Sequence, residues 1–244
     1  MLIKVDGIVL KEQVYGETSK IINLLTKEYG IISVLAKGAR KIKSEFRTNT
    51  CKLTYGSFNI YYKENRLSIL SSVDLIDNLK NIKTDITKIS FASYLLDLTS
   101  QVMKQTTDNS VYDLLVASLL KINDNFDPLV ICNILELKYL YYLGIMPIID
   151  KCSKCGKKNN IVTISSYSGG YLCNECRTTQ NIVNIKTIKL IRMFYYVDIS
   201  KISSLNISEK SKNEINHFLN EYYDRYAGLY LKSKQFLNNI LKLK

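Results

Sequence analysis

Ile31-Ile32-Ser33-Val34-Leu35-Ala36 runs directly into Lys37-Gly38-Ala39-Arg40-Lys41-Ile42-Lys43-Ser44-Glu45-Phe46-Arg47. The first six residues are apolar and β-branched enough to read as a strand. The following stretch is cationic, and Gly38 and Ser44 favour a loop. From Lys37 to Lys52 there are six basic residues and one acid, a net of +5, and residues 1–80 as a whole also carry +5. The charge excess of the first third therefore sits in one short stretch at the end of a strand. A flexible cationic loop placed there is suited to gripping phosphates. Charge that serves only solubility is usually scattered rather than concentrated in one place.

Outward from this stretch the same texture continues. Ile3 to Val14 is a β-rich run ending at Tyr15-Gly16-Glu17, Lys20 to Thr26 is a second, and Glu28-Tyr29-Gly30 signals a turn. Beyond the basic loop, Leu53 to Tyr62 and Leu67 to Leu75 form two more runs joined by Lys63-Glu64-Asn65-Arg66, a hairpin turn. Five short strands in about 80 residues fit a small closed barrel such as an OB-fold. Strand pattern alone does not separate this from an SH3-like barrel.

After Leu79 the period becomes helical: Ile86, Ile89, Leu95, Leu96, Leu98 and Val102, then Val111, Leu114, Leu115, Ser118 and Leu119. Asp127-Pro128 reads as an N-cap followed by proline at the first helical position. That helix runs through Ile131, Leu135 and Tyr139 to a stop at Gly144, with Pro147 beyond. Lys186 to Val197 and roughly Ser208 to Leu241 read as further helices. The second part, residues 81–244, is thus mostly helical, with a cysteine-rich insertion at about 148–178.

The formal net charge is +12 over 244 residues, which favours polyanionic partners, nucleic acid first and anionic membrane second. No run of about 18 apolar residues exists, so no transmembrane helix is expected. The start, Met1-Leu2-Ile3-Lys4-Val5-Asp6, lacks a signal peptide's apolar stretch and cleavage site, so a cytoplasmic location is expected.

Cys152-Ser153-Lys154-Cys155 and Cys173-Asn174-Glu175-Cys176 form two C-x2-C pairs separated by seventeen residues. Such pairs can supply the four thiolates that tetrahedral zinc takes, with Ile161-Val162-Thr163-Ile164 and Gly169-Gly170-Tyr171-Leu172 as the hairpin of a zinc ribbon. Two disulfides are the alternative, disfavoured in the cytosol; an iron–sulfur cluster needs less ordinary spacing. With four protein ligands the site is closed, so one structural Zn2+ is expected, lowering the net charge to about +10. Cys51 and Cys132 lie outside this pattern and read as small buried residues.

Nothing marks an enzyme. His217 is the only histidine, and no acid–Ser or acid–Cys arrangement accompanies it in sequence. Tyr167-Ser168-Gly169-Gly170 lacks the Lys-Ser/Thr of a phosphate cradle. Aromatic residues carry more: Tyr55, Phe58, Tyr61 and Tyr62 lie close to Lys52, Lys63 and Arg66, a combination suited to stacking on unpaired bases. Half-buried packing is the ordinary role for such strand aromatics. Phe218, Leu219, Tyr222, Tyr223, Tyr226, Leu229 and Tyr230 read as an apolar core face. Lys232, Lys234, Lys242 and Lys244 make a second cationic area.

Taken in order, several of these motifs resemble the RecO family of bacterial recombination mediators. Gly16-Glu17 to Lys20, Leu25-Thr26-Lys27-Glu28-Tyr29-Gly30 and Leu35-Ala36-Lys37-Gly38-Ala39-Arg40 are similar to the family's strand, turn and basic loop. Leu135-Glu136-Leu137-Lys138 and Leu143-Gly144-Ile145-Met146-Pro147 lead into the cysteines, and Leu231-Lys232-Ser233-Lys234-Gln235-Phe236-Leu237 resembles its closing motif. The resemblance implies an α+β chain: a five-stranded OB-fold β-barrel over 1–80, then an α-helical domain over 81–244 with an inserted zinc ribbon. It implies a nucleoid-associated protein that binds single- and double-stranded DNA and anneals complementary strands. Its implied partners are RecR and the C-terminal tail of single-stranded DNA-binding protein (SSB), through which RecA is helped onto gapped DNA. Mapped here, the DNA contacts would be Lys37, Arg40, Lys41, Lys43, Arg47 and Arg66. The competing reading is a zinc-ribbon transcription or RNA-associated factor, with Lys154, Lys157, Lys158 and Arg177 as its contacts.

Overall fold

Five strands close on themselves at the start of the chain: β1 (Leu2–Tyr15), β2 (Ser19–Thr26), β3 (Gly30–Ala36), β4 (Tyr55–Tyr61) and β5 (Ser68–Asp77), in the order β1-β2-β3-β5-β4. All neighbours are antiparallel except β3 and β5, which pair in parallel through Val34↔Ser68 and Leu35↔Ile69. That single parallel closure is the OB-fold order. The computed structural model describes residues 1–242; Lys244, counted above in the second cationic area, lies outside them.

The barrel interior is filled by alternate residues of every strand, including Val5, Val9, Ile22, Leu24, Ile32, Val34, Phe58, Ile60 and Leu70. Gly7 and Gly56 face each other across β1 and β4. A Cβ at Gly56 would meet the Asp74 carbonyl oxygen at 2.6 Å. The irregular pairing of β4 and β5 beside Gly56 is the bend that this close approach permits.

The residues group into two compact units. The first holds the barrel with α1 (Phe46–Asn49), α2 (Lys80–Lys83), α3 (Ile86–Val102) and α4 (Ser110–Asn123); the last helix of the chain also belongs to it. Asp85 caps α3 by accepting from the Thr87 and Lys88 amides. The second unit, Asn125–Leu231, holds α5 (Pro128–Tyr142), β6 (Ile161–Ser165), β7 (Gly170–Cys173), α6 (Ile185–Tyr196) and α7 (Glu209–Tyr222). The expected start of α5 is observed: Asp127 accepts from the Leu129 and Val130 amides, and Pro128 follows it. Gly144, at φ +70°, ends the turn after the helix.

The C-terminal stretch departs from expectation. It is not one continuous helical face but α7, a π-type turn over Tyr223–Ala227, and α8 (Lys232–Lys242). Gly228 adopts a left-handed conformation, φ +60°, which stops the helix. Phe218, Leu219, Tyr222 and Tyr223 are core residues of the second unit, whereas Tyr226 and Tyr230 are exposed. α8 packs on α3 in the first unit, where Lys234 Nζ lies 4.4 Å from the centre of the Tyr94 ring. Among the described residues no helix is long and apolar enough to cross a membrane.

Candidate nucleic-acid interface and metal centre

The basic segment leaves β3 at Ala36 and is not a free loop. Ala39 is fully buried in the barrel core and Phe46, on α1, packs against the same core. Between these anchors the chain makes tight turns: the Lys41 amide donates to the Gly38 carbonyl at 3.0 Å, Ser44 to Lys41 at 3.1 Å and Arg47 to Ser44 at 3.1 Å. The flexible loop expected from Gly38 and Ser44 is therefore corrected to a folded turn, because its apolar residues find places in the barrel. The cations between them face outward: Lys37, Arg40, Lys41, Lys43 and Arg47 are all exposed, and so is Ile42, at 84%.

Arg40 differs from its neighbours. Its amide donates to the Thr18 carbonyl at 2.8 Å, and its guanidinium donates to the Glu17 carbonyl at 2.9 Å and to the Gly16 carbonyl at 3.4 Å. It ties the basic turn to the β1–β2 turn and keeps further donors for a ligand. Lys37, Lys41, Lys43 and Arg47 have no acidic partner among the described residues. Other barrel lysines do: Lys20 pairs with Glu12, Lys27 with Asp113 and Lys52 with Asp97. Three barrel lysines are thus neutralised, while the basic turn gathers those four unpaired cations within eleven residues and leaves their field open to solvent.

Arg66 is also exposed, but it lies on the β4–β5 hairpin, away from the basic turn along β3. Of the aromatic candidates, Phe58 is fully buried in the barrel and cannot stack on a ligand. Tyr55 and Tyr62 are half-buried, and Tyr61 is exposed.

The four cysteines converge. Cys152, Cys155, Cys173 and Cys176 place their sulfurs within 4.8 Å of one another, with Cys155 and Cys173 Sγ 3.6 Å apart. A tetrahedron of thiolates at ~2.3 Å from a central ion has an edge of about 3.8 Å, so the arrangement fits one metal ion. Local backbone geometry sets this up. The Gly156 amide donates to the Cys152 carbonyl at 2.9 Å with φ +75°, and the Cys176 and Arg177 amides both donate to the Cys173 carbonyl. At Gly170 a Cβ would meet the Ile148 carbonyl oxygen at 2.2 Å; the hairpin needs glycine there to dock on Ile148. Burial opposes the Cys152 thiolate, yet amide donors from Cys155, Cys173 and Lys154 bring its pKa down to about 6. The thiol of Cys176, hydrogen-bonded to Cys155 and shielded from water, is pushed up to about 12. A divalent cation favours the thiolate form at all four. Cys132 is buried and Cys51 half-buried, neither within the cluster.

Two of the ribbon's cations are engaged at home: Lys157 pairs with Glu175 at 2.5 Å, and Arg177 donates to the Gln180 carbonyl at 2.9 Å. His217 is 75% exposed and sits 3.2 Å from Glu221, whose other oxygen accepts from Ser166 Oγ at 2.8 Å. The acid lies between serine and imidazole, so His217 makes no contact that would draw a proton from Ser166.

Comparison with known proteins agrees with this geometry. The family model described as Recombination protein O N terminal matches residues 1–79, and Recombination protein O C terminal matches residues 83–235. The DNA repair protein RecO of Bacillus pumilus is 34% identical over 248 residues, covering 100% of this chain and 96% of its own. That of Bacillus subtilis is 33% identical over 248 residues, covering 100% and 97%. That of Listeria monocytogenes (strain F2365) is 32% identical over 244 residues, covering 98% and 95%. With the two family models together matching most of its length, and an OB barrel leading into a helical region with four clustered cysteines, the chain belongs to the RecO family of DNA repair proteins.

Proposed function

We propose that this protein is a non-enzymatic recombination mediator. It binds single- and double-stranded DNA through the barrel of residues 1–80, with Lys37, Arg40, Lys41, Lys43 and Arg47 on phosphates and Arg66 as a more distant contact. It anneals complementary strands, and with RecR and SSB it helps RecA load on gapped DNA, in the cytoplasm at the nucleoid. The helical part, residues 81–244, carries one structural Zn2+ on Cys152, Cys155, Cys173 and Cys176. The observation that carries the reading is the set of outward cations without acidic partners among the described residues, fixed to the barrel by Ala39 and Phe46. A preordered cluster loses less freedom on binding than a mobile loop would. The zinc-ribbon alternative is weakened by the internal engagement of Lys157 and Arg177.

An SSB tail is acidic and ends in an apolar residue, so its site needs cations beside an apolar floor. A groove of about 710 Å³ in the second unit offers both, with Lys186 and Lys189 flanking Leu190, Met193 and Ile207. The test is annealing of complementary oligonucleotides, naked or coated with cognate SSB. The wild-type protein should accelerate both. Lys186→Glu combined with Lys189→Glu should keep the acceleration on naked strands and lose it on coated ones. Equal rates for variant and wild type on coated strands would remove the groove. No acceleration by the wild type on either substrate would overturn the mediator reading.

A further inference from the structure

A second polar concavity lies near the start of β3, at the opposite end from the basic turn. The parallel pairing of β3 with β5 brings the β2–β3 turn beside the β4–β5 hairpin. The rings of Tyr29 and Tyr62 then meet with centroids 4.8 Å apart and planes 46° from parallel. Together with Ser33, Lys63, Asn65 and Arg66 they line a cavity of about 390 Å³. Tyr62 rests on the barrel core and holds its ring in place, while Tyr29 remains 38% exposed. Asn65, at φ +52°, makes the hairpin turn sharply. Lys63 and Arg66 flank that turn, exposed and without an acidic partner among the described residues.

We propose that this cavity holds one unpaired nucleotide of a DNA single strand, its base against Tyr29 and its phosphate on Lys63 and Arg66. The inference rests on the reading of the barrel as the DNA-binding part. A phosphate alone would use the cations and ignore the aromatic wall; a nucleotide uses both. Ser33 and Asn65 add hydrogen-bonding groups at the cavity wall, and Ser33 bonds to Asn23 on the neighbouring strand at 3.4 Å. The outer surface of β2 and β3 is where OB-folds carry oligonucleotides. Here it leads from Ile32 at the cavity to Lys37 over five residues, roughly 16 Å at ~3.3 Å each. That separation lies within the footprint of roughly 4–16 nucleotides that an OB-fold covers. Duplex DNA keeps its bases stacked inside and has none to place on Tyr29, so the cavity distinguishes single from double strands where the basic turn does not.

Tyr29 can be altered without unmaking its turn. The turn is held by Thr26, whose Oγ1 accepts from the Tyr29 amide and donates to the Gly30 carbonyl, both at 3.1 Å. The test is binding of full-length protein to a labelled thymidine oligonucleotide and to an abasic strand of the same length, at one fixed salt concentration. Tyr29→Ala should weaken binding to the thymidine strand by roughly five-fold or more. It should leave the abasic strand and a blunt duplex at wild-type affinity, and Tyr29→Phe should bind all three as wild type does. Arg66→Ala should weaken both single strands. Equal losses on thymidine and abasic strands, or no loss on either, would overturn the cavity. Lys37→Ala/Lys41→Ala/Lys43→Ala, run alongside, separates the two readings. If that triple variant loses affinity while Tyr29→Ala is silent, the cavity fails and the barrel reading stands. If it too binds as the wild type does, the barrel reading fails and takes the cavity with it.

Discussion

Cys173→Ser should release the metal and unfold the hairpin around it. The reason is the size of what remains. The buried apolar cluster at this end of the second unit consists of Cys152, Leu172 and Cys173, with Ile161 and Cys176 packed against it. Three of those five side chains are themselves ligands, so without the ion the knuckle end of the hairpin keeps little apolar packing of its own, and only the far end stays tied, through Tyr171 to the Ile188 carbonyl and Gly170 to Ile148. An isolated two-stranded hairpin is marginal at best in water. Structural zinc contributes about 10–16 kcal/mol in zinc-finger peptides at neutral pH, and that binding energy is folding energy. The wild-type protein should carry one equivalent of zinc by mass spectrometry. Cys173→Ser should carry far less, and its amides over residues 161–173 should exchange with solvent freely, while those over residues 2–77 keep their protection. A variant that retains a full equivalent of metal, or a metal-free variant with a protected hairpin, would contradict this assignment.

The barrel is legible in the sequence because its determinants are local. Alternating apolar residues and the Gly16, Gly30 and Lys63–Arg66 turn signals place all five strands within about two residues of where they stand. The cysteine spacing is equally local: a C-x2-C knuckle brings two sulfurs together by itself, and a short hairpin brings the two knuckles together. Features that depend on distant pairing are not legible. Tyr29 reads only as a turn residue until the β3–β5 closure sets it against Tyr62. The return of α8 to α3 in the first unit leaves no local trace either. Some signals are present but easy to misread. Ala39 and Phe46 are apolar residues inside a cationic run, and they are what convert a loop into a folded turn. Phe58 sits among aromatics that look alike in sequence, and its alternation with Gly56 and Ile60 marks it as inward-facing. Gly228 could have flagged the break between α7 and α8, since glycine in the middle of a helical pattern often marks its end.

The fixed geometry of the basic turn alters what substitutions there should do. Lys37, Lys41 and Lys43 are exposed and pair with no acid among the described residues, so their removal should act on DNA binding alone. Removing one phosphate-binding cation lowers the slope of log affinity against log salt by about 0.7 on single strands. The triple alanine variant should therefore reduce that slope by about 2.1 if each lysine meets one phosphate. Its thermal unfolding should match the wild type, because surface positions of this kind are usually neutral to within about 0.5 kcal/mol. Arg40→Ala should behave differently. Its guanidinium joins the basic turn to the Gly16 and Glu17 carbonyls, so truncating it removes a phosphate ligand and also loosens the turn that presents the others. Affinity should then fall by more than one cation's share, with a lower melting temperature as the second sign. Arg40→Lys, which keeps the charge but not the planar fork, should retain the salt slope and recover only part of the stability. The decisive comparison is the triple variant across a salt titration. An unchanged slope would mean that the phosphates are held elsewhere on the protein, and that the open field of this turn serves some other anion.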